Sequence, residues 1–124
     1  MFDLIGKTAL VTGASGGIGA EIARALHTLG ATVAIHGNRL EKLESLAAEL
    51  GERIVPITAD LGDRHAAAGL IEAAVEVAGG PISILVNNAG ITRDGLLMRL
   101  KDEDWDRVLE VNLNASMILC RAAL

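Results

Sequence analysis

The sequence predicts an α/β fold, a doubly wound parallel sheet covered by helices on both faces, and three observations carry that expectation. Short apolar, β-branched runs recur at Thr8–Val11, Thr32–Ile35, Ile54–Thr58 and Ile82–Val86. Segments with helical spacing of apolar residues lie between them, and each is closed by glycine. Strand–helix alternation at this length gives right-handed crossovers, which set successive strands parallel and bury both faces of the sheet. The third observation is the join between the first strand and the first helix, where Gly13, Gly16, Gly17 and Gly19 crowd together.

Each element follows from its residues. Thr8-Ala9-Leu10-Val11 is an unbroken run, as a strand buried on both faces requires. In the first helix Ile18, Ile22, Ala25, Leu26 and Leu29 are expected to form the inner face, with Gly30 as the stop. In the second, Leu40, Leu43, Leu46, Ala47 and Leu50 play that part, and Gly51 ends it. Asn38, with Glu41 three residues later, has the form of a capping box at its start. The third helix is expected from about Asp63 to Ala78, with Ala67, Leu70, Ile71, Ala74 and Val75 inward and Gly79-Gly80-Pro81 closing it. The fourth begins near Asp102 and is expected to run to the last residue. Its stripe of Trp105, Val108, Leu109, Asn112, Leu113, Ser116, Met117 and Cys120 is predicted to face the core. The strands should order 3-2-1-4, a Rossmann-like sheet with its topological switch between the first and fourth strands, truncated before a fifth.

Composition narrows the function. At 124 residues and 51% hydrophobic content, the chain is one domain with a buried core. Eleven basic against sixteen acidic residues give a net charge of −5, which offers no electrostatic case for nucleic acid or an anionic membrane surface. The single cysteine, Cys120, is expected to be a small core residue; it cannot form an internal disulfide, which fits a reducing cytoplasm. No apolar run reaches spanning length and Met1–Lys7 lacks the pattern of a secretory leader, so the expectation is a soluble, cytoplasmic protein. His27, His36 and His65 lack metal-ligand spacing and are read as structural or exposed, so no metal site is expected.

The chemistry gathers at the switch. Gly13-x3-Gly17-x-Gly19 puts a tight turn between a buried strand and a helix N-terminus, so free backbone N–H groups and the positive end of a helix dipole point at one spot where a phosphate can sit. Asn87-Asn88-Ala89-Gly90 leaves the fourth strand at the same switch, so two loops remote in sequence should meet at one cleft. At the end of the second strand stands His36-Gly37-Asn38-Arg39, with no carboxylate before Glu41. An acid there would take ribose hydroxyls and repel a 2′-phosphate, whereas Arg39 can hold one, so NADP(H) is favoured over NAD(H). The alternative for Arg39 is a solvated residue in the first turn of a helix. Asp60, after the third strand, is either an acceptor for an adenine amino group or an ordinary turn carboxylate. Asn112, the polar member of an apolar stripe, either pairs with a backbone carbonyl or holds an ordered water near a cofactor.

Thr12-Gly13-x3-Gly17-x-Gly19, Asp60-Leu61, Asn87-Asn88-Ala89-Gly90 and Val111-Asn112-Leu113 resemble, in order and spacing, the motifs of the short-chain dehydrogenases/reductases. The run from Asn87 to Asp102 resembles the bacterial 3-oxoacyl-[acyl-carrier-protein] reductases within that family, which use NADPH to reduce acyl-carrier-protein thioesters in fatty-acid elongation. The resemblance covers the whole chain and implies an NAD(P)-binding domain over residues 1–124. It implies that Gly13, Ser15, Gly17, Ile18 and Gly19 line the pyrophosphate and adjoining ribose, Arg39 faces the 2′-phosphate, and Asp60 and Leu61 face the adenine. Asn87 would tie the central strands together, and Ala89 and Gly90 would approach the adenosine side. Asn112 would open the family's Asn-Ser-Tyr-Lys tetrad and hold a water in its proton relay.

Two departures from the family pattern matter. Gly16 stands where many NADPH-using relatives carry arginine, and the chain holds no tyrosine at all. The expectation is therefore an incomplete domain that binds cofactor but, by itself, cannot turn over. Two other readings use the same residues: a self-associating fragment, in which the fourth strand's unpaired edge or the last helix recruits a second copy, and a nucleotide-sensing domain.

Overall fold

The computed structural model describes residues 3–124; Met1 and Phe2, the start of the segment read above for a leader, lie outside the described residues. Seven principal elements come first: β1 (Thr8–Val11), α1 (Gly17–Thr28), β2 (Thr32–His36), α2 (Leu40–Leu50), β3 (Ile54–Ile57), α3 (Arg64–Ala78) and β4 (Ile84–Val86). A short 3₁₀ turn at Leu97–Arg99 precedes α4 (Asp102–Leu109), a π-helical turn (Glu110–Asn114) and α5 (Ala115–Ala123). The strands form one parallel sheet in the order β3-β2-β1-β4, as expected. Val11 stands opposite both Ile35 and Val86, so β1, β2 and β4 end at one level and their loops leave along one rim.

Alternation along the strands divides the core in two. Val11, Val33 and Ile35 point to the face covered by α1 and α2, where Leu43 and Leu46 meet them. Leu10 and Ala34 point to the other face, against Leu70, Ile71 and Ala74 of α3 and Val111, Ala115, Ile118 and Leu119 of the last helical stretch. Each large side chain buried here contributes roughly 1.5–3 kcal/mol, so the two clusters fix the level of the rim. The third helix matches its expected face and is well terminated. Asp63 caps it by accepting from His65 and Ala66 N–H at 2.9 and 3.2 Å, and Gly79 closes it in a left-handed conformation at φ 81°.

Three expectations about the helices are corrected. In α1 the buried residues are Gly19, Ala20, Ala23 and His27, whereas Ile18 is 73% exposed and Ala25 and Leu29 are also exposed. The reason is close approach: a Cβ on Gly19 would stand 2.2 Å from the Gly13 carbonyl oxygen, so small residues face the sheet and bulky ones move to the flank. In α2 the N-cap is Arg39, not Asn38; no side chain bonds the helix start, and Leu40 is exposed. The last helix is not one uninterrupted helix. The π turn inserts a residue between α4 and α5 and shifts their phase. The buried face is Val111, Ala115, Ile118 and Leu119, while Trp105, Leu109, Leu113, Met117 and Cys120 are exposed. Among the described residues no helix is long and apolar enough to cross a membrane.

Candidate functional site

The site begins with Thr12, the first residue past β1, which is 1% exposed. Its hydroxyl donates to the Val86 carbonyl at 3.3 Å and accepts the N–H groups of Asn88 and Ala89 at 3.1 and 3.0 Å. One donor and two lone pairs are all a hydroxyl has, so this residue stitches the β1 loop to the β4 loop with full use of its capacity. Asn88 adds a second stitch, its side-chain N–H donating to the Gly13 carbonyl at 3.1 Å. The tie expected of Asn87 is therefore made by its neighbour. Asn87 instead points away, donating to Cys120 Sγ at 3.4 Å, because successive residues of an extended segment face opposite ways.

The glycines let the two loops meet. Gly13 has φ +66°, and a Cβ on it would stand 2.8 Å from Ala89 Cα. Gly37 is similarly constrained, since a Cβ there would fall 2.8 Å from Ser15 Oγ. Gly17, at φ +58°, turns the chain into α1. The start of that helix has no side-chain cap and no acidic residue in its first turn, so its first N–H groups remain available to an anion.

The end of β2 locks this turn in place. Ala14 N–H donates to the His36 carbonyl at 2.6 Å. The His36 ring, 2% exposed, accepts the Gly13 N–H on Nδ1 at 3.3 Å and pairs through Nε2 with the Ala59 carbonyl at 2.8 Å. A carbonyl can only accept, so Nε2 carries the proton and the ring is neutral. Burial pushes its pKa below the ordinary histidine value, against a smaller opposing pull from the Ala59 carbonyl. The expectation of a structural or exposed histidine holds in its first form: His36 is buried and is a structural part of the crevice.

Asp60, just past β3, accepts the Gly62 N–H at 2.9 Å and an Arg107 guanidinium N–H at 2.8 Å, both on Oδ1. The second guanidinium nitrogen lies 3.4 Å from Oδ2. Arg107 and then the Gly62 N–H hold the Asp60 carboxyl below its usual pKa. No sequence signal marked Arg107, because its partner is 47 residues away.

These parts enclose a crevice of about 330 Å³ at the carboxyl end of the sheet. Of the expected residues, Gly13, Ser15, Gly17, Arg39, Asp60, Leu61, Ala89 and Gly90 line it. Gly17 and Gly90, from the two remote loops, share its rim. The Arg39 guanidinium reaches over Gly16, with Nη2 3.8 Å from where a Cβ of that glycine would stand. Three of the expected cofactor-binding residues lie elsewhere. Ile18 faces the groove between α1 and α2, Gly19 packs beneath the turn, and Asn87 turns to Cys120. An uncapped helix start, a glycine cradle that a Cβ would fill and an adjacent guanidinium fit a phosphate-bearing group.

The family profile of the short chain dehydrogenases matches residues 7–124. The chain belongs to the short-chain dehydrogenase family. Nodulation protein G of Rhizobium sp. (strain N33) is 57% identical, over 98% of this chain and 49% of that protein. The 3-oxoacyl-[acyl-carrier-protein] reductase FabG of Rickettsia conorii is 48% identical, over the whole of this chain and 49% of that protein. Among solved structures, a short chain dehydrogenase from Burkholderia cenocepacia J2315 in complex with NADP superposes with a TM-score of 0.91 at 42% identity, covering 97% of this chain and 50% of that one. The chain spans about half the length of the curated relatives it matches.

In this short-chain dehydrogenase chain Asn112 sits within the π turn and is exposed, outside the crevice lining. Its Oδ1 accepts the Ile91 N–H and its Nδ2 donates to the Ile91 carbonyl, both at 2.8 Å. Of the two readings left open by the sequence, backbone pairing is what the amide does. That pairing pins the segment after Gly90 to the helix, and it joins the β4 loop to the π turn.

Proposed function

We propose that this chain is the cofactor-binding part of an NADPH-dependent 3-oxoacyl-[acyl-carrier-protein] reductase, a cytoplasmic enzyme of fatty-acid biosynthesis. The observation that carries the reading is the crevice itself, where an uncapped helix start, Arg39 and the Ala89–Gly90 loop converge and the end of β2 offers no carboxylate. In it the N–H groups at the start of α1 bind the pyrophosphate, and Gly13 and Gly37 let the flanking segments close against Ala89 and Ser15 around it. Arg39 binds the 2′-phosphate with charge-assisted hydrogen bonds, and Asp60 and Leu61 meet the adenine. When bound, NADPH supplies the hydride that reduces the β-carbonyl of an acyl thioester on its carrier protein. Asn112 holds the Ile91 segment at the nicotinamide end and, by resemblance to the family, stands beside the proton relay. The chain contains no tyrosine to donate that proton. The 124 residues alone are therefore expected to bind nucleotide without measurable turnover.

Calorimetry of the chain with NADPH and NADH tests this. NADPH should bind more tightly, and Arg39→Ala should weaken NADPH by roughly 10- to 100-fold while leaving NADH unchanged, the loss of charge-assisted bonds to one phosphate. Equal affinity for the two nucleotides, or no binding of either, overturns the reading.

A second reading is favoured by two observations. Trp105, Leu109, Leu113 and Met117 form an exposed apolar stripe along α4 and α5, and β4 is an edge strand. Both features support self-association of the chain. Light scattering at micromolar concentration should give a dimer or larger species, and a monodisperse monomer refutes it.

A further inference from the structure

We propose that Arg107 of α4 is a positioning residue for the nucleotide site: it fixes the Asp60 carboxylate so that one oxygen remains directed to the adenine. The inference rests on the nucleotide reading of the crevice given above and adds to it a residue from a distant helix. Three observations carry it. Both residues line the crevice, so the ion pair lies at the site itself. The contact is two-pronged, with the guanidinium nitrogens at 2.8 Å from Oδ1 and 3.4 Å from Oδ2, which sets the plane of the carboxylate. Asp60 Oδ1 is filled, since it also accepts the Gly62 N–H at 2.9 Å, whereas Oδ2 has only the long contact and retains capacity for one further N–H donor.

The chain also makes room for this arginine. A Cβ on Gly62 would stand 1.6 Å from Arg107 Nη1 and 2.4 Å from its Cζ, so the guanidinium lies where any other side chain would begin. A second pair, Arg64 with Glu110 at 2.7 Å, ties the start of α3 to the π turn that follows α4. Of these two links between distant segments, the Arg107 contact is the one at the crevice.

The experiment measures NADPH and NADH affinities of the 124-residue chain by calorimetry for wild type, Arg107→Ala, Gly62→Ala, Asp60→Ala and the Arg107→Ala/Asp60→Ala double variant. The pair is partly exposed, at 41% and 58%, so the expected loss for Arg107→Ala is modest, about two- to fivefold. That loss should be the same for NADPH and NADH, unlike the Arg39 effect, because the adenine is common to both. Gly62→Ala should reproduce it, since the methyl displaces only the flexible end of the arginine and leaves both charged residues in place. In the Asp60→Ala background, removing Arg107 should cost nothing further, and nicotinamide mononucleotide (reduced), which lacks adenine, should respond to none of these changes. Unchanged affinity in Arg107→Ala, or an undiminished loss in the double variant, overturns the inference while the nucleotide reading survives. Wild type that binds neither nucleotide overturns both.

Discussion

Gly13 and Ala89, from loops far apart in sequence, approach so closely that a Cβ on the glycine would lie 2.8 Å from the alanine Cα. Both the clash and the positive φ of 66° act against any side chain at Gly13. Gly13→Ala should cost about 1–3 kcal/mol from backbone strain, with the steric term in addition. It should also spread the two loops and abolish nucleotide binding. Thermal unfolding and calorimetry on the variant check both. A Tm within a degree or so of wild type would mean that the loops are not in contact in solution.

Thr12 gives a cleaner measure of the same junction. Thr12→Val keeps the shape but removes the acceptor of the half-buried Ala89 N–H, while the Asn88 N–H keeps the Val86 carbonyl at 3.1 Å. Leaving one such donor unpaired costs about 1–3 kcal/mol, so the change should lower stability by that order. Thr12→Ser, which retains the hydroxyl, should recover most of the loss. Denaturant unfolding distinguishes the two variants.

How much of this was legible in the sequence differs from element to element. The sheet order was, because strands buried on both faces read as unbroken apolar runs such as Thr8–Val11, and glycines mark where they end. The third helix was, because Asp63 and Gly79 are chemically distinctive ends. The inner face of α1 was not. Its contact with the sheet is made by Gly19, Ala20 and Ala23, whose smallness is a packing requirement that hydrophobic spacing cannot register. The orientation of α4 and α5 was hidden by the π turn, which breaks the periodicity on which a face is assigned. Asn87 and Asn88 are the same residue side by side, and only the course of the backbone decides which one turns to Gly13.

His36 should make the stability of the chain depend on pH. Its folded pKa lies below the ordinary value of 6.5 because burial penalises the charged ring. The unfolded chain therefore takes up a proton at this ring before the folded chain does. The contribution is complete above the unfolded value and is lost as pH falls through the folded one. Protonation would also turn Nδ1 into a donor facing the Gly13 N–H, so the turn should loosen along with the fold. Tm measured from about pH 8 down to about pH 5 should fall for wild type, with a flatter profile for His36→Gln. Parallel profiles for the two proteins would remove His36 as the cause.

Asn112 offers a test of the pairing between the π turn and the segment after the β4 loop. Its amide meets both polar groups of Ile91, with the oxygen on the N–H and the nitrogen on the carbonyl, each at 2.8 Å. Asn112→Ala removes both bonds, but the site is exposed and water can replace them, so the cost should be only about 0.5–1.5 kcal/mol. Asn112→Asp keeps an acceptor for the N–H yet sets a carboxylate oxygen where the nitrogen had faced the Ile91 carbonyl. Two acceptors then oppose each other, and the variant with the smaller change in shape should be the less stable of the two. Amide exchange at Ile91 and the unfolding midpoint report on this directly. An aspartate variant as stable as the alanine one would show that the carbonyl contact contributes nothing, leaving Asn112 attached to Ile91 through the N–H alone.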